Sequence, residues 1–272
     1  MGVAELLLAG QADTAAFDAA VEAADGTDIA AVLSLVGHPD PEVRRVIAVT
    51  LPLLTHGDEP TEEMVDATIE LTLDTDKRAR DYACFALAEQ WREVDTPALR
   101  DALAARLDDL DRDTRSEALV GLAYRGDSRA VPRVRDALAR PSGNLWRLEM
   151  VAAGALSDPQ LHDLVQRHQA GWATDQDRRT ADAVRRLTDP AGPGADVLDG
   201  VAQLHRRRAH GRADGDALGS WHLMSEMLDI APHRAREFLE GVLTQLAGDE
   251  AAERELRERS ALAQLAAEGS SA

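Results

Sequence analysis

Apolar residues recur every three or four positions along most of the chain, which is the spacing of one face of an α-helix. One such stripe contains Leu99, Leu103, Leu107 and Leu110, and another runs from Ala235 to Leu246. Short polar turns in which Asp, Gly and Pro are frequent separate the stripes. The pattern predicts a succession of α-helices.

A skeleton of four residues repeats three times at nearly constant spacing. It consists of an aspartate, an arginine four residues later, a small or apolar residue, and a leucine. The arginines Arg44, Arg80 and Arg115 are 36 and 35 residues apart. A fixed period of roughly 20–50 residues indicates a repeat array. The three copies are Asp40, Arg44, Ile47 and Leu51; Asp76, Arg80, Ala83 and Leu87; and Asp111, Arg115, Ala118 and Leu122.

Each copy of the skeleton opens the first of two helices. Asp40 is placed to cap the helix that Pro41 begins, because an aspartate accepts free N–H groups at that position and proline lacks one. Thr96 and Pro97 begin a second helix in the same way, and a turn at 125–127 precedes another. The repeating unit is therefore predicted to be a pair of helices.

The skeleton also divides the chain. Residues 1–37 are acidic and rich in alanine, as suits an N-terminal helical cap, because a repeat array needs a polar outer face at its ends. Residues 38–190 form the predicted repeat array, in which the skeleton decays after Pro141. The strongest break is the Pro- and Gly-rich stretch 190–194. Residues 191–272 are predicted to form C-terminal helix pairs and a cap, either continuous with the array or folded separately.

These helix pairs resemble bacterial HEAT repeats, most closely the subgroup first noted in phycobilisome lyases. The resemblance is carried by Asp-x3-Arg at the start of the first helix and by Gly126, Asp127 and Ala130 at the start of the second. It extends over 38–140 and more loosely to about 188. It implies an all-α fold, an α-α superhelix (HEAT/ARM-type solenoid) of about six to eight antiparallel helix pairs, with the second helices along a concave groove.

The resemblance also implies a role for the repeated polar residues. In such families the motif Asp and Arg are structural and tie adjacent repeats together. The residues to which this implication applies are Asp40, Arg44, Asp76, Arg80, Asp111 and Arg115.

The charge of the chain disfavours several classes of partner. The formal net charge is −19, and residues 1–100 contain 20 acidic and 7 basic side chains. Such a field repels nucleic acids and anionic membranes. Any surface that binds an anion is therefore expected after residue 100. No apolar run has the length of a membrane span, and no basic, apolar leader begins the chain, so a cytoplasmic bacterial protein is predicted.

The sequence contains no recognisable catalytic or nucleotide-binding motif, so no catalytic residue, cofactor or metal is assigned. Cys84 lies in a helical apolar pattern and is interpreted as an inert core thiol. His168 lies on an apolar stripe and is interpreted as a core histidine. His222 and Glu226 share a helix face and supply at most half of a metal site. The basic cluster 205–212 is either a solvated helix end or a phosphate contact.

A row of basic residues follows one side of the second helix at 127–140. Family geometry places this side on the concave face, which is where solenoids usually bind. An acidic or phosphorylated peptide would gain from such a row. The alternative is that neighbouring carboxylates pair with these arginines. The candidate partner-binding residues are Arg129, Arg133, Asp136, Arg140, Trp146 and Glu149.

The sequence therefore favours a non-enzymatic interaction module or scaffold that binds a protein in its groove. The alternative is a HEAT-like nucleic-acid or nucleotide-processing protein, similar to the alkylation-repair glycosylases, with Trp146, Trp172 and Glu149 at its centre. A lyase-like chaperone for cofactor attachment is a third possibility. The sequence leaves the identity of the partner and the oligomeric state open.

Overall fold

The computed structural model describes residues 2–10, 14–141 and 143–268. These residues form seventeen α-helices and no strand. The predicted all-α fold is confirmed, and the seventeen helices that these residues form are one more than the eight pairs at the top of the predicted range would contain. No helix in the described ranges is both long and apolar enough to cross a membrane.

The chain divides after Arg133 into two compact units. This division does not coincide with the boundaries predicted at 37 and 190, which remain predictions. The helices up to the boundary are α1 (Val3–Leu8), α2 (Thr14–Glu22), α3 (Gly26–Leu33), α4 (Pro41–Leu53), α5 (Glu62–Leu71), α6 (Lys77–Phe85), α7 (Pro97–Ala105), α8 (Arg112–Tyr124) and α9 (Ala130–Leu138), the last of which contains the boundary.

In the first unit the three helices that carry the skeleton stack directly on one another. Helix α6 contacts both α4 and α8, and α5 contacts α4, α6 and α7. The apolar positions of the skeleton form the core, since Ile47, Ala83 and Ala118 are fully buried. The spacing of three and four residues therefore produces a buried stripe on each helix, as a stacked repeat requires.

The aspartate of each skeleton caps its own helix. Asp40 accepts the N–H of Glu42 at 2.9 Å, and Asp76 accepts the N–H of Arg78 at 3.0 Å. Asp111 accepts the N–H of Thr114 at 3.2 Å. Each side chain thus satisfies an N–H group that the first turn of a helix leaves free.

The arginines of the skeleton pair with a different aspartate, which lies in the next repeat. Arg44 donates from Nε and Nη2 to both carboxylate oxygens of Asp74, at 2.6 and 2.8 Å. Arg80 does the same to Asp109, at 2.8 Å for both bonds. Because both pairs are almost buried and bidentate, they are strong ties between repeats.

Each of these second aspartates also orders the turn before the next helix. Asp74 accepts the N–H of Asp76 at 2.8 Å, and Asp109 accepts that of Asp111 at 2.9 Å. The hydrogen bond from Arg44 lowers the pKa of Asp74. Burial opposes the ionisation of Asp109, but its hydrogen bonds from Arg80 and Asp111 lower its pKa overall.

Arg115 keeps only part of this arrangement. Like Arg44 and Arg80, it donates to two carbonyls of its own preceding turn, those of Asp109 and Leu110. The predicted tie from Arg115 to the next repeat has no carboxylate partner among the described residues. The sequence supplies a reason, because Asn144 stands two residues before the N-cap Trp146, at the position that Asp74 and Asp109 occupy before the N-caps Asp76 and Asp111.

In the second unit, one more arginine donates to two carbonyls of the turn that precedes its own helix. Thr174 caps α12, and Arg178 four residues later donates to the carbonyls of Trp172 and Ala173 at 3.0 and 3.4 Å. Helix α12 contacts α10 and α14, and α13 contacts α14, α15 and α16. The helices of this unit after α9 are α10 (Arg147–Leu156), α11 (His162–Gln166), α12 (Asp175–Thr188), α13 (Ala195–Ala209), α14 (Ala217–Ile230), α15 (Ala235–Leu246), α16 (Glu250–Arg259) and α17 (Ala261–Glu268).

Helix α6 continues into a π-helical turn at Ala86–Gln90. The N–H of Trp91 donates to the carbonyl of Ala86 at 2.9 Å. In an α-helix this N–H would bond to Leu87, so the carbonyl of Leu87 is left for another donor. Arg125, at the end of α8, supplies it from Nη2 at 2.7 Å.

Arg125 is the most heavily bonded side chain in this region. Besides Leu87 it donates to the carbonyls of Trp91, Val94 and Gly121 at 2.8–3.0 Å. Only 8% of the residue is exposed. Burial lowers its pKa to about 10, which still leaves the guanidinium charged at neutral pH. The charge is stabilised by oriented carbonyl groups rather than by a carboxylate.

The repeat ties are expected to differ in strength. Arg80→Ala removes a buried bidentate ion pair and two carbonyl contacts, whereas Arg115→Ala removes carbonyl contacts alone. We expect Arg80→Ala to lower the free energy of unfolding by about 3 kcal/mol and Arg115→Ala by about 1 kcal/mol. Urea unfolding followed by circular dichroism measures both. Equal losses would contradict the assignment of Asp109 as the inter-repeat partner.

Replacement of Arg125 should destabilise the fold more than replacement of an ordinary turn residue. Arg125→Met keeps the apolar stem but leaves four carbonyl groups without this donor. We expect a loss of about 3–5 kcal/mol in the free energy of unfolding. Arg135→Met, at an exposed position, is the matched control and should change it by less than about 0.5 kcal/mol. Similar melting curves for the two variants would contradict this role of Arg125.

Candidate functional site

The predicted arginine row begins in the first unit with two ion-paired side chains. Arg129 donates to Asp127 at 2.7 and 2.9 Å and to Asp101 at 2.6 Å. Arg133 donates to Asp108 at 2.6 Å. These carboxylates raise the pKa of Arg129. The expectation of an acidic partner is based on the positive charge of Arg129 and Arg133. Carboxylates of the same chain largely balance this charge.

The remaining residues of the predicted groove belong to the second unit. Arg140 forms an ion pair with Glu149. The backbone N–H of Trp146 donates to the same carboxylate at 2.9 Å. Glu149 thereby helps to cap α10, so its carboxylate is committed to structure. Trp146 is 38% exposed, and Asp136 is exposed on α9. The structure brings Arg140, Trp146 and Glu149 together.

The other sequence candidates have structural partners. His168 is buried and its Nε2 lies 2.9 Å from the carbonyl of Leu138, as a core histidine should. Cys84 is fully buried, and burial raises the pKa of its thiol. Glu226 accepts the hydroxyl of Thr180 at 2.6 Å. Across the described ranges, no three His, Cys, Asp or Glu side chains are placed to hold a metal ion.

The basic cluster at 205–212 is also bound internally. Arg208 donates to both oxygens of Asp214 at 3.0 and 2.8 Å. Arg207 donates to the carbonyl of Ala213 at 3.2 Å, and Arg206 to that of Gln245. His205 is buried beside Glu255. The arrangement agrees with the interpretation of this cluster as a helix end.

A cavity in the first unit is the site that sequence reasoning missed. It has a volume of about 320 Å³ and lies among α4, α6, the π-turn and α8. We call it the α4–α6–α8 pocket. Its lining residues are Ala48, Val49, Pro52 and Leu53 from α4, Asp81, Tyr82 and Phe85 from α6, Gln90 from the π-turn, and Glu117 from α8.

The apolar lining of this pocket is unusually open to solvent. Val49 and Leu53 are 44% and 49% exposed, and Tyr82 and Phe85 are 36% and 39% exposed. Among the described residues, eight large hydrophobic side chains are exposed, and four of them line this pocket. Half of the exposed large apolar side chains are therefore gathered in one place.

Two carboxylates line the same pocket without an ion pair to any described residue. Glu117 Oε2 is fully buried and has no hydrogen-bond partner in the described part of the chain. Burial, with Glu89, Asp81 and Asp113 nearby, raises the pKa of Glu117 to about 8. Burial also raises the pKa of Asp81 to about 6. A buried carboxylate oxygen without a donor is costly, so Glu117 needs an explanation beyond folding.

The repeat itself contains the signal for Glu117. Two residues after the skeleton arginine, the first two copies have Val46 and Tyr82, and the third has Glu117. A carboxylate therefore replaces an apolar side chain at an equivalent position. Superposing the three copies residue by residue would have singled it out.

The elevated pKa of Glu117 has a consequence for stability. In the unfolded chain Glu117 ionises near its ordinary pKa of 4.5, whereas in the folded chain it keeps its proton to about pH 8. Between these values the unfolded state binds fewer protons, so stability falls as pH rises. Glu117→Gln removes this effect.

We compare the free energies of unfolding of Glu117→Gln and of the unchanged protein. Between pH 5 and pH 8, we expect the difference to shift in favour of the variant by about 2–3 kcal/mol. Urea unfolding at both pH values measures this. Contributions from other groups, such as Asp81, cancel in the comparison to a first approximation. A difference independent of pH would show that Glu117 ionises normally in the fold.

Comparison with known proteins adds little to this geometry. No family model and no curated protein matches the chain. Among solved structures, the chain is similar to the X-ray structure of YibA from Escherichia coli, a structural genomics target. The similarity has a TM-score of 0.49 and 20% sequence identity, and it covers 67% of this chain. The matched part spans 66% of the YibA chain.

Proposed function

We propose that the chain is a non-enzymatic, cytoplasmic interaction module that binds a partner protein at the α4–α6–α8 pocket. One observation carries this proposal, namely the gathering of Val49, Leu53, Tyr82 and Phe85, all exposed, around a single cavity. Apolar patches of this kind mark interaction surfaces on soluble proteins. Their burial by a partner would contribute roughly 25 cal/mol per Å² of apolar surface.

The pocket is formed by rigid parts of the fold. Its three walls are the helices that the Arg44–Asp74 and Arg80–Asp109 pairs tie together. The π-turn that contributes Gln90 is held by Arg125 through the carbonyl of Leu87. A preformed surface loses little conformational entropy on binding, which favours recognition of a partner.

The lining residues include no serine, cysteine, lysine or histidine, so Asp81, Glu117 and Tyr82 are the lining side chains of the types that act as nucleophile, acid or base. The net charge of −19 disfavours the nucleic-acid alternative, and Glu149, which that alternative places at its centre, is engaged by Arg140 and Trp146.

The arginine row stays as a second possible surface for an acidic partner. A partner there would have to displace Asp127, Asp101 and Asp108 from Arg129 and Arg133. The α4–α6–α8 pocket requires no such exchange. The resemblance to the phycobilisome-lyase-like HEAT subgroup is compatible with either surface and remains a prediction.

A comparison of three immobilised proteins distinguishes the two surfaces. The unchanged chain, the double variant Leu53→Ser/Phe85→Ser and the variant Arg133→Glu are each exposed to lysate of the source organism. Proteins that are retained are identified by mass spectrometry, purified and tested for direct binding. We expect a partner that binds the unchanged chain and Arg133→Glu equally but binds the double variant at least about tenfold more weakly, equivalent to about 1.4 kcal/mol.

The substituted side chains are exposed, so the variants should fold normally, and circular dichroism checks this. Loss of the partner from Arg133→Glu alone would favour the arginine row. A purified partner that binds all three proteins with equal affinity would exclude both surfaces.

A further inference from the structure

The α4–α6–α8 pocket combines an apolar, aromatic rim with an acidic interior. Tyr82 and Phe85 are exposed aromatic walls, while Glu117 presents a buried oxygen that lacks a donor. Asp81 is half-buried in the same lining. A purely apolar partner would cover the rim but would bury both carboxylates without compensation, at a considerable cost. The pocket therefore suits a ligand with an apolar shaft and a cationic, hydrogen-bonding head.

We propose that this pocket binds the side chain of an arginine in a basic segment of the partner protein. The inference rests on the proposed function, since it names the chemistry that the same surface recognises. The methylene stem of arginine would lie against the apolar rim, and its guanidinium would donate to Glu117 and Asp81.

Arginine fits this lining better than lysine does. A guanidinium is planar and can stack on an aromatic ring such as Tyr82 or Phe85 while it donates several hydrogen bonds. Lysine is a compact, strongly hydrated charge, and its removal from water is less well compensated by aromatic walls. Glu117 Oε2 would obtain the donor that the described part of the chain does not provide.

The distribution of charge in the first unit supports a cationic ligand. Residues 1–133 contain 27 acidic and 13 basic side chains. The nearby arginines are already engaged, with Arg80 bound to Asp109, Arg125 to backbone carbonyls and Arg45 to Glu42. The pocket carboxylates thus differ from those around Arg129 and Arg133, which are neutralised by ion pairs. Of these two groups of carboxylates, the pair in the pocket has no ion-pair partner among the described residues.

Binding of a guanidinium would also be coupled to pH. The charged groups around Glu117 are Asp81 on α6, Glu89 in the π-turn and Asp113 on α8, and α4 contributes no charged residue to the lining. Lys77 and Asp111, which pair at 3.3 Å, act on Asp81. Burial and, after it, the acidic neighbours favour the proton on Glu117, so a guanidinium must displace it. Affinity should therefore increase as pH rises from 6 to 8.

A peptide with one central arginine between two leucines, in a Gly/Ser background and labelled with fluorescein, tests the proposal. The matched ligand replaces arginine by citrulline, which has the same shape without the charge. The matched protein variants are Glu117→Gln, in the pocket, and Asp113→Asn, which removes the same charge from an exposed position on the same helix. Fluorescence polarisation at low salt gives the dissociation constants.

We expect the arginine peptide to bind at least tenfold more tightly than the citrulline peptide, and than a further peptide with lysine in place of the arginine. Glu117→Gln should weaken binding at least tenfold, and Asp113→Asn less than threefold. Equal effects of the two variants would indicate a general electrostatic field and would overturn the proposal. Absence of binding by the arginine peptide at millimolar concentration would also overturn it.

Two further outcomes separate this inference from the proposed function. One outcome is that the arginine and citrulline peptides bind with equal affinity and that Leu53→Ser/Phe85→Ser abolishes the binding of both. It would reject recognition of an arginine but retain the pocket as an apolar interface. Competition by free arginine methyl ester at the same concentration as the peptide would reject a protein partner in favour of a small guanidinium compound. Both outcomes would contradict the proposal as stated.

Discussion

The buried guanidinium of Arg125 is the contact on which the first unit depends. It joins the end of α8 to the π-turn after α6, because it donates to the carbonyl of Leu87 in place of a backbone N–H. Without it, the carbonyl of Leu87 would lose the donor that replaces its α-helical N–H partner, whereas the carbonyl of Trp91 would keep the N–H of Val94 at 3.0 Å. The π-turn in turn contributes to the wall of the α4–α6–α8 pocket. A single side chain thus connects the stability of the helical stack with the shape of its candidate site.

Most polar groups described in the first unit follow one rule, from which Glu117 Oε2, Arg106 Nε and Trp91 Nε1 depart. Aspartates cap helices or bind arginines of the preceding repeat, and arginines bind carboxylates or carbonyls. Each arrangement lowers the cost of burying a charge. Glu117 breaks the rule, because its Oε2 is buried without a donor in the described residues. Departures from local consistency of this kind concentrate at functional sites, which is why the pocket rather than the arginine row carries the proposals.

Local features of the fold could be predicted from the sequence because they depend on neighbouring residues. The periodic stripes and the caps at Asp40, Asp76 and Asp111 are of this type. The partner of Arg44 could not be predicted, since Asp74 lies 30 residues away and approaches only when the helices stack. The pocket was missed for the same reason, because its lining comes from three consecutive repeats. The replacement of an apolar residue by Glu117 was visible in the repeat, but its burial was not.

Glu117 is expected to keep its proton in the free protein and to lose it when a guanidinium enters the pocket. Carbon-13 NMR of glutamate-labelled protein, with Glu117→Gln to assign the resonance, measures the ionisation of this carboxyl directly. We expect a pKa of about 8 for Glu117 in the free protein and a decrease of more than one unit when the arginine peptide is bound in saturating amount. An ordinary value near 4.5 in the free protein, or a raised value that the peptide leaves unchanged, would contradict it.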